Sequence, residues 1–367
     1  MSEIAHRPTV VVLGGGYGGI RVAKALDDVA DVTLVDPKEA FVHNVAAWRA
    51  LVEPDWLDRI FFPYGRLLAA GRFLRDRAVA VDGNRVTLAS GWTIEADYVV
   101  LATGSSYPFP AKSDEPELAL AKRRYRAAHD DLVRADEVLL VGAGPAGLEL
   151  AGEMKAAFPA KRVTIVDAAG DVLAGPFDQE LRQELRRQLG ELGVELRLGQ
   201  PLRALPDAAP ATLAPIEVET AGGERIGADI WYRAFGVMAR TGYLRGALAE
   251  ARDAGGYIRV DPQLRVIGFD AVFALGDIAD ADRDMAGLAS MQGEVVAANI
   301  RAAITGDGEP AAYSRFPAVI AVPLGPEGGA GQLPGVEGVA GAEAIAEVKG
   351  RSMLVDSLHE LFGAVPA

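Results

Sequence analysis

The sequence predicts an α/β chain of two doubly wound, three-layer units, the second inserted in the first, followed by a small C-terminal segment. Three observations carry this. Residues 9–36 read TVVVLGGGYGGIRVAKALDDVADVTLVD, and residues 137–167 repeat the plan as EVLLVGAGPAGLELAGEMKAAFPAKRVTIVD. Residues 85–104 (RVTLASGWTIEADYVVLATG) are echoed by 216–236 (IEVETAGGERIGADIWYRAFG), each a hairpin turning on glycine, an Ala-Asp step and a strand ending in glycine. The remainder returns to the first half, with further strands expected over 257–275 and a small-residue helix over 285–303. The boundaries that follow are 1–117 with 244–310 for one discontinuous domain, 118–243 for the inserted domain, and 311–367 for an interface segment on the acceptor side.

Each repeated unit opens on a Val- and Leu-rich run suited to a parallel strand buried on both faces. A glycine cluster, an amphipathic helix and a second Val-rich strand ending in Asp complete a βαβ unit, so both halves are Rossmann-like. Gly14, Gly16 and Gly19 stand at G-x-G-x-x-G spacing, with Gly18 beside them. The first glycine permits the tight turn, the second lets backbone approach a pyrophosphate, and the third lets helix and strand pack closely. The helix N-terminus then offers free N–H groups to the phosphates. Asp36 ends the following strand, where a carboxylate accepts from ribose hydroxyls.

Gly142, Gly144 and Gly147, with Ala146, repeat the pattern, Asp167 closes the next strand and Gly236 ends the late one. An acid at 167 accepts from a free 2′-hydroxyl and repels a 2′-phosphate, and no Arg or Lys follows in AAGDVL, which favours NADH over NADPH. The alternative, an Asp that only terminates a strand, stays open. FALGDIAD assigns the two sites. Asp277 after Gly276 is placed to accept from a ribityl hydroxyl, which NAD lacks. With Thr103 and Gly104 of LATG it belongs to the first half, so FAD is expected on the first unit and NAD(H) on the second.

Composition narrows the chemistry. With 367 residues, half of them apolar, the chain is long enough for two or three domains. A net charge of −14 opposes binding to nucleic acid and long-range attraction to anionic lipid. There is no cysteine, which excludes disulfides, thiolate metal sites, iron–sulfur clusters and dithiol redox chemistry within the chain. The four histidines (His6, His43, His129, His359) show no metal-ligand spacing, and no metal is expected. MSEIAHRPTV lacks an apolar signal core, Ser2 stands where myristoylation needs glycine, and no run of apolar residues is long enough to cross a bilayer. The expected setting is cytoplasmic, with peripheral membrane contact left open.

GGGYGG, VTLVD, LATG, GAGPAGLELA and FALGD, in this order, resemble the pyridine-nucleotide flavin oxidoreductases of the glutathione-reductase fold. DPKEAFVHNVAAWRALVEP followed by FFPY, and MAGLASMQGEVVAANI, resemble more closely the ferroptosis-suppressor, or apoptosis-inducing-factor-like mitochondrion-associated, quinone oxidoreductases. The likeness runs to about residue 305. It implies an enzyme that passes hydride from NADH through flavin N5 to a two-electron acceptor such as a quinone. It also implies that Glu149 lies where nicotinamide meets flavin, that His43, Asn44 and Arg49 face the flavin, and that Gln292 lies on the helix capping the isoalloxazine. For each a plainer role stays open: a helix N-terminal acid for Glu149, a structural histidine for His43, a packing glutamine for Gln292.

The sequence departs from that family at Arg233 and Phe235, and over 317–350. The run Lys122, Arg123, Arg124, Arg126 reads as a solvated helix face or a contact for phosphate or an acidic carrier. In SMLVDSLHELF, Met353, Leu354, Leu358 and Leu361 are expected on one helical face, for core packing or a membrane surface. Besides a quinone, the acceptor readings are a ferredoxin- or rubredoxin-type carrier and a redox-signalling protein of slow turnover. A monomer and a homodimer are both compatible with the sequence.

Overall fold

The computed structural model describes residues 7–282 and 285–363; Ser2 and His6 lie outside them. The first half folds around a five-stranded parallel sheet in the order Val272–Ala274, Tyr98–Leu101, Thr9–Leu13, Asp31–Asp36, Arg72–Arg75. Val10 to Leu13 are wholly buried, as a strand sandwiched between two layers requires. The helix Tyr17–Leu26 packs against the long helix Ala286–Thr305. Their small residues explain the fit: a Cβ on Gly293 would lie 2.7 Å from the Gly18 carbonyl, and one on Gly18 2.5 Å from that of Ala289. The meander Ala78–Asp82, Arg85–Leu88, Thr93–Glu95 joins the same core through Val81, Val86 and Leu88.

The second half has a four-stranded parallel sheet, Val194–Arg197, Arg162–Val166, Glu137–Val141, Ile230–Arg233. Strand alternation divides its side chains cleanly. Val138, Leu140, Ile165 and Tyr232 pack with the helices Pro145–Ala157 and Gln179–Glu191, whereas Leu139, Val141, Val166 and Trp231 pack under the hairpin Ile216–Glu219/Arg225–Ala228. The two crossings between the halves pair with each other, Ser105–Ser106 antiparallel to Met238–Ala239. Among the described residues no helix is long and apolar enough to cross a membrane.

The expected strands of 257–275 reduce to one, Val272–Ala274, with isolated bridges such as Val260–Val266. The Asp261 carboxylate accepts from the Arg265 amide at 2.9 Å and holds a tight turn there, which interrupts the ladder.

The C-terminal segment straddles both halves. Its hairpin Ile320–Pro323/Gly329–Gln332 lies on the helix Pro145–Ala157, so closely that a Cβ on Gly152 would stand 2.3 Å from the Leu324 Cα. Its last helix, Asp356–Phe362, returns to the first half. The expected apolar face over Met353, Leu354, Leu358 and Leu361 is corrected here. Met353 and Leu358 are buried as expected, but Met353 and Leu354 precede the helix with left-handed φ of 49° and 62°, Leu354 is exposed, and Phe362 joins Leu358 in the core. Phe362 stacks on Phe62 at 5.2 Å between ring centroids, which a leucine at 361 could not do.

Two residues expected at the flavin tie these parts together. Arg49, on the helix Ala47–Val52, forms a bidentate pair with Glu153 of the helix Pro145–Ala157, and its Nη2 donates to the Gly350 carbonyl at 3.0 Å. Both side chains are buried, and the guanidinium also lies 5.1 Å from the Trp56 ring. Burial pushes the Glu153 carboxyl up and the Arg49 guanidinium pulls it back, leaving it above the ordinary carboxylate range. Nε and Nη2 of Arg49 are thus committed to protein groups. His43 is buried as well. Its Nε2 lies 2.6 Å from the Met353 carbonyl, which can only accept, so Nε2 carries the proton and Nδ1 accepts from the Tyr17 hydroxyl at 3.1 Å. Burial lowers its pKa from 6.5 to about 4, which favours the neutral imidazole.

Gly152→Ala is expected to destabilise the fold by about 1–3 kcal/mol through overpacking against Leu324. Thermal denaturation and limited proteolysis within 320–332 measure it; an unchanged melting point and digest would contradict the packing. For His43 the folded pKa lies below the unfolded value, so as pH falls the unfolded chain takes up the proton first. Stability should decline from about pH 6.5 toward pH 4, on the order of 2 kcal/mol of it at pH 5 from this residue. Melts at neutral and acid pH should show a smaller acid loss in His43→Gln than in wild type; equal losses would remove the assignment.

Candidate active site

The two glycine loops are built by the same contacts. Gly14 (φ +102°) and Gly142 (φ +117°) pass so near the neighbouring strand that a Cβ would lie 2.3 Å from the Ala102 oxygen and 2.7 Å from the Ala234 oxygen. The third glycines, Gly19 and Gly147, face the carbonyls of Gly14 and Gly142 at 1.9 and 2.0 Å from the same hypothetical Cβ. The second glycines differ: nothing lies within 4 Å of a Cβ built on Gly16 or Gly144. Each caps its helix with no side-chain hydrogen bond, so the first-turn N–H groups remain free. An open cradle lined by unsatisfied donors is what a pyrophosphate needs, and the chain has two. The missing Cβ of Gly18 makes room for Leu275 and the Ala289 carbonyl, so this glycine also serves packing. Ala146 is half-buried in the first turn of the second helix.

Asp36 and Asp167 brace these loops. Asp36 accepts from the Gly15 amide at 2.8 Å and the Lys38 amide at 2.9 Å; Asp167 accepts from Ala143 at 2.6 Å and Ala169 at 2.7 Å. One oxygen of each carboxylate holds the loop and the other its own turn, and each retains lone pairs for a ribose hydroxyl. The loop carbonyls are held too, that of Gly15 by the Tyr64 hydroxyl at 2.7 Å and that of Ala143 by the Leu173 amide at 2.9 Å.

Gly276 (φ +70°) and Asp277 follow the outer strand of the first sheet. Asp277 Oδ2 accepts from the Ser105 hydroxyl at 2.5 Å and from Lys112 Nζ at 3.0 Å, and Lys112 also donates to the Ser105 hydroxyl at 2.7 Å. Sequence reasoning missed Ser105 and Lys112. No periodicity links position 112 to 277, and only the YPFPAKSD loop folding back brings them together. Gln292, expected as a catalytic residue at the flavin, is wholly buried and is corrected to a positioning residue. Its Oε1 accepts from the Gly276 amide and its Nε2 donates to the Asp282 carbonyl, both at 2.7 Å, so it locks the Gly-Asp turn to the long helix. The Thr103 hydroxyl is likewise taken, by the Arg240 carbonyl at 2.8 Å and the Tyr243 hydroxyl at 3.0 Å, while Gly104 (φ +63°) faces open space.

Glu149 stands one turn before Glu153 on the same helix face. Its Oε1 accepts from Lys349 Nζ at 2.7 Å, and Lys349 also reaches the Ala321 carbonyl at 3.3 Å. Lys349 was not foreseen, because it lies in the stretch where resemblance to the family fades. Gly236 (φ +94°) leaves room for Arg233, whose Nη2 would be 2.7 Å from a Cβ there and whose guanidinium lies 4.5 Å from the Phe235 ring. The basic run divides: Lys122 pairs with Asp58 at 2.6 Å and Arg124 lies over Phe109, while Arg123 and Arg126 are exposed.

The fold and its paired cradles agree with the comparisons. Residues 8–293 match the family model described as pyridine nucleotide-disulphide oxidoreductase. The chain is 27% identical over 349 residues to apoptosis-inducing factor homolog A of Dictyostelium discoideum, covering 89% of this chain and 85% of that protein. It is 32% identical over 300 residues to human ferroptosis suppressor protein 1, covering 79% of each. The solved sulfide:quinone oxidoreductase of Aquifex aeolicus superposes with a TM-score of 0.74 at 18% identity, covering 97% of this chain and 92% of that one. With two Rossmann-like units, two open glycine cradles and a family match over most of its length, the chain belongs to the pyridine nucleotide-disulphide oxidoreductases and is an NAD(P)H-dependent flavoprotein oxidoreductase.

Proposed function

We propose that this chain oxidises NADH and reduces a quinone by two electrons, with FAD held by residues 1–117 and 244–310 and NAD(H) by residues 118–243. One observation carries the acceptor class: a chain from a family named for disulphide chemistry contains no cysteine. Electrons cannot pass to an internal dithiol, so they leave to an external acceptor. The net charge of −14 disfavours an acidic carrier protein. The likeness of the HNVAAWR segment to quinone oxidoreductases, and of the fold to a sulfide:quinone oxidoreductase, supports a quinone. A quinone substrate implies peripheral contact with a membrane surface from the cytoplasmic side.

FAD, when bound, supplies a ring that takes hydride from a nicotinamide and gives up two electrons to a quinone. The chain's own residues bind and orient. Gly16 with the free N–H groups behind it, Asp36 and Asp277 would hold the flavin nucleotide. Gly144, Gly147 and Asp167 would hold the pyridine nucleotide, and the Asp167 carboxylate would repel a 2′-phosphate, which favours NADH. Glu149 and Lys349 meet at the seam between the inserted unit and the C-terminal segment. There Lys349 Nζ holds a positive charge in a largely water-excluded position, suited to stabilising negative charge on a reacting ring.

The purified protein should show flavin bands that bleach anaerobically with NADH, at least tenfold more slowly with NADPH, and return promptly with a short-chain quinone. Re-oxidation by a protein carrier alone would replace the quinone reading, and a protein that takes up no FAD would end it. Lys349→Met should keep FAD but slow bleaching or re-oxidation by on the order of tenfold or more in stopped flow. Unchanged rates would remove Lys349 from the site.

A further inference from the structure

Arg233 is the last residue of the strand Ile230–Arg233 and pairs in register with Val141, the residue before Gly142. The sheet order runs outward from Glu137–Val141 to Arg162–Val166 and Val194–Arg197 on one side and to Ile230–Arg233 on the other. The gap between Glu137–Val141 and Ile230–Arg233 is thus the point where the winding reverses, and ligands of such sheets lie outside the carboxyl ends of the strands there. Asp167 stands on the far side of the glycine loop, where the adenosine ribose belongs. Arg233 stands on the opposite side, and the Ala234 carbonyl touches Gly142 itself.

Its environment is incomplete. Arg233 is half-buried, its Nε is cut off from water without a hydrogen-bond partner, and among the described residues it has no ion pair. Its one neighbour of note is the Phe235 face, 4.5 Å from the guanidinium carbon. A guanidinium does not lose its proton, so the cost of partial desolvation cannot be relieved by neutralisation. Gly236 at φ +94° is what allows the side chain to lie there, since any Cβ would collide with it. A cation kept at this position with an aromatic face but, among the described residues, no hydrogen bond or ion pair suits an anionic ligand.

Resting on the reading that the inserted unit binds the pyridine nucleotide, we propose that Arg233 binds that nucleotide's pyrophosphate from the nicotinamide side. The donors of the guanidinium suit a phosphate oxygen pair, and the contact would add to the backbone N–H groups behind Gly144. It marks the second phosphate, which ADP-ribose carries and AMP lacks.

The test is titration of the FAD-loaded protein with ADP-ribose and with AMP, in wild type, Arg233→Met and Arg233→Lys, beside melts of the ligand-free proteins. The proposal expects Arg233→Met to weaken ADP-ribose by on the order of tenfold while leaving AMP unchanged, with Arg233→Lys intermediate. Because the Arg233 side chain makes no hydrogen bond or ion pair among the described residues, the ligand-free Arg233→Met melting point should stay close to that of wild type. Arg233→Met that binds ADP-ribose as wild type does, or that loses both ligands alike, overturns the proposal alone. Wild type that binds neither ligand would overturn the nucleotide assignment of the inserted unit, and this proposal with it.

Discussion

The arrangement depends on one buried contact, the Arg49–Glu153 pair. Two charges out of water are costly, and the pair persists because both Glu153 oxygens, the Gly350 carbonyl and the Trp56 face are all brought to the guanidinium. Those partners come from three parts of the chain: the first nucleotide unit, the inserted unit and the C-terminal segment. Removing either charge would leave the other buried and alone, so the pair specifies how the three parts sit. Glu149 lies one turn earlier on the same helix, and the alignment that satisfies Glu153 also carries Glu149 to Lys349. Hydride transfer between two rings tolerates little misplacement, which makes a rigid seam between the units a requirement of the chemistry.

Around that seam the same solution appears twice. In each unit a carboxylate at the end of the second strand holds the glycine loop by one backbone amide, and a third group holds the loop carbonyl. The loop is thus braced by the protein's own groups, with open space above Gly16 and Gly144. The units differ in what supplies the third group, a tyrosine hydroxyl in one and a backbone amide in the other. They differ again at the outer strand, where the first presents Gly276-Asp277 and the second Arg233 and Phe235. The repeat thus builds two cradles with unlike rims.

Much of this was legible in the residues. The duplicated βαβ units, the echoed hairpins on Gly91 and Gly223, the late return of Val272–Ala274 to the first sheet and the small-residue helix all appear where the pattern places them. The polar residues fared less evenly. His43, Arg49 and Gln292 are buried, and each is hydrogen-bonded to a group distant in the chain or on another element. Ser105, Lys112 and Lys349 hydrogen-bond to expected site residues, which their local sequence did not suggest. The terminal helix shows the same limit, since Phe362 and not Leu361 is buried once Phe41 and Phe62 stand beside it.

By itself the sequence determined what local rules govern. A buried parallel strand needs an apolar run, a left-handed turn against a neighbouring strand needs glycine, and an acid two strand-lengths on can reach the loop; all are matters of steric and hydrogen-bonding reach within one unit. It also determined that no thiol could take part. Which polar side chains face a ligand was decided only by the tertiary structure. Arg49 meets Glu153 across 104 residues, Lys349 meets Glu149 across 200, and His43 meets Met353 across 310. A buried charge or imidazole must be satisfied by whatever group the folded chain brings within about 3 Å, and separation along the chain carries no record of that distance.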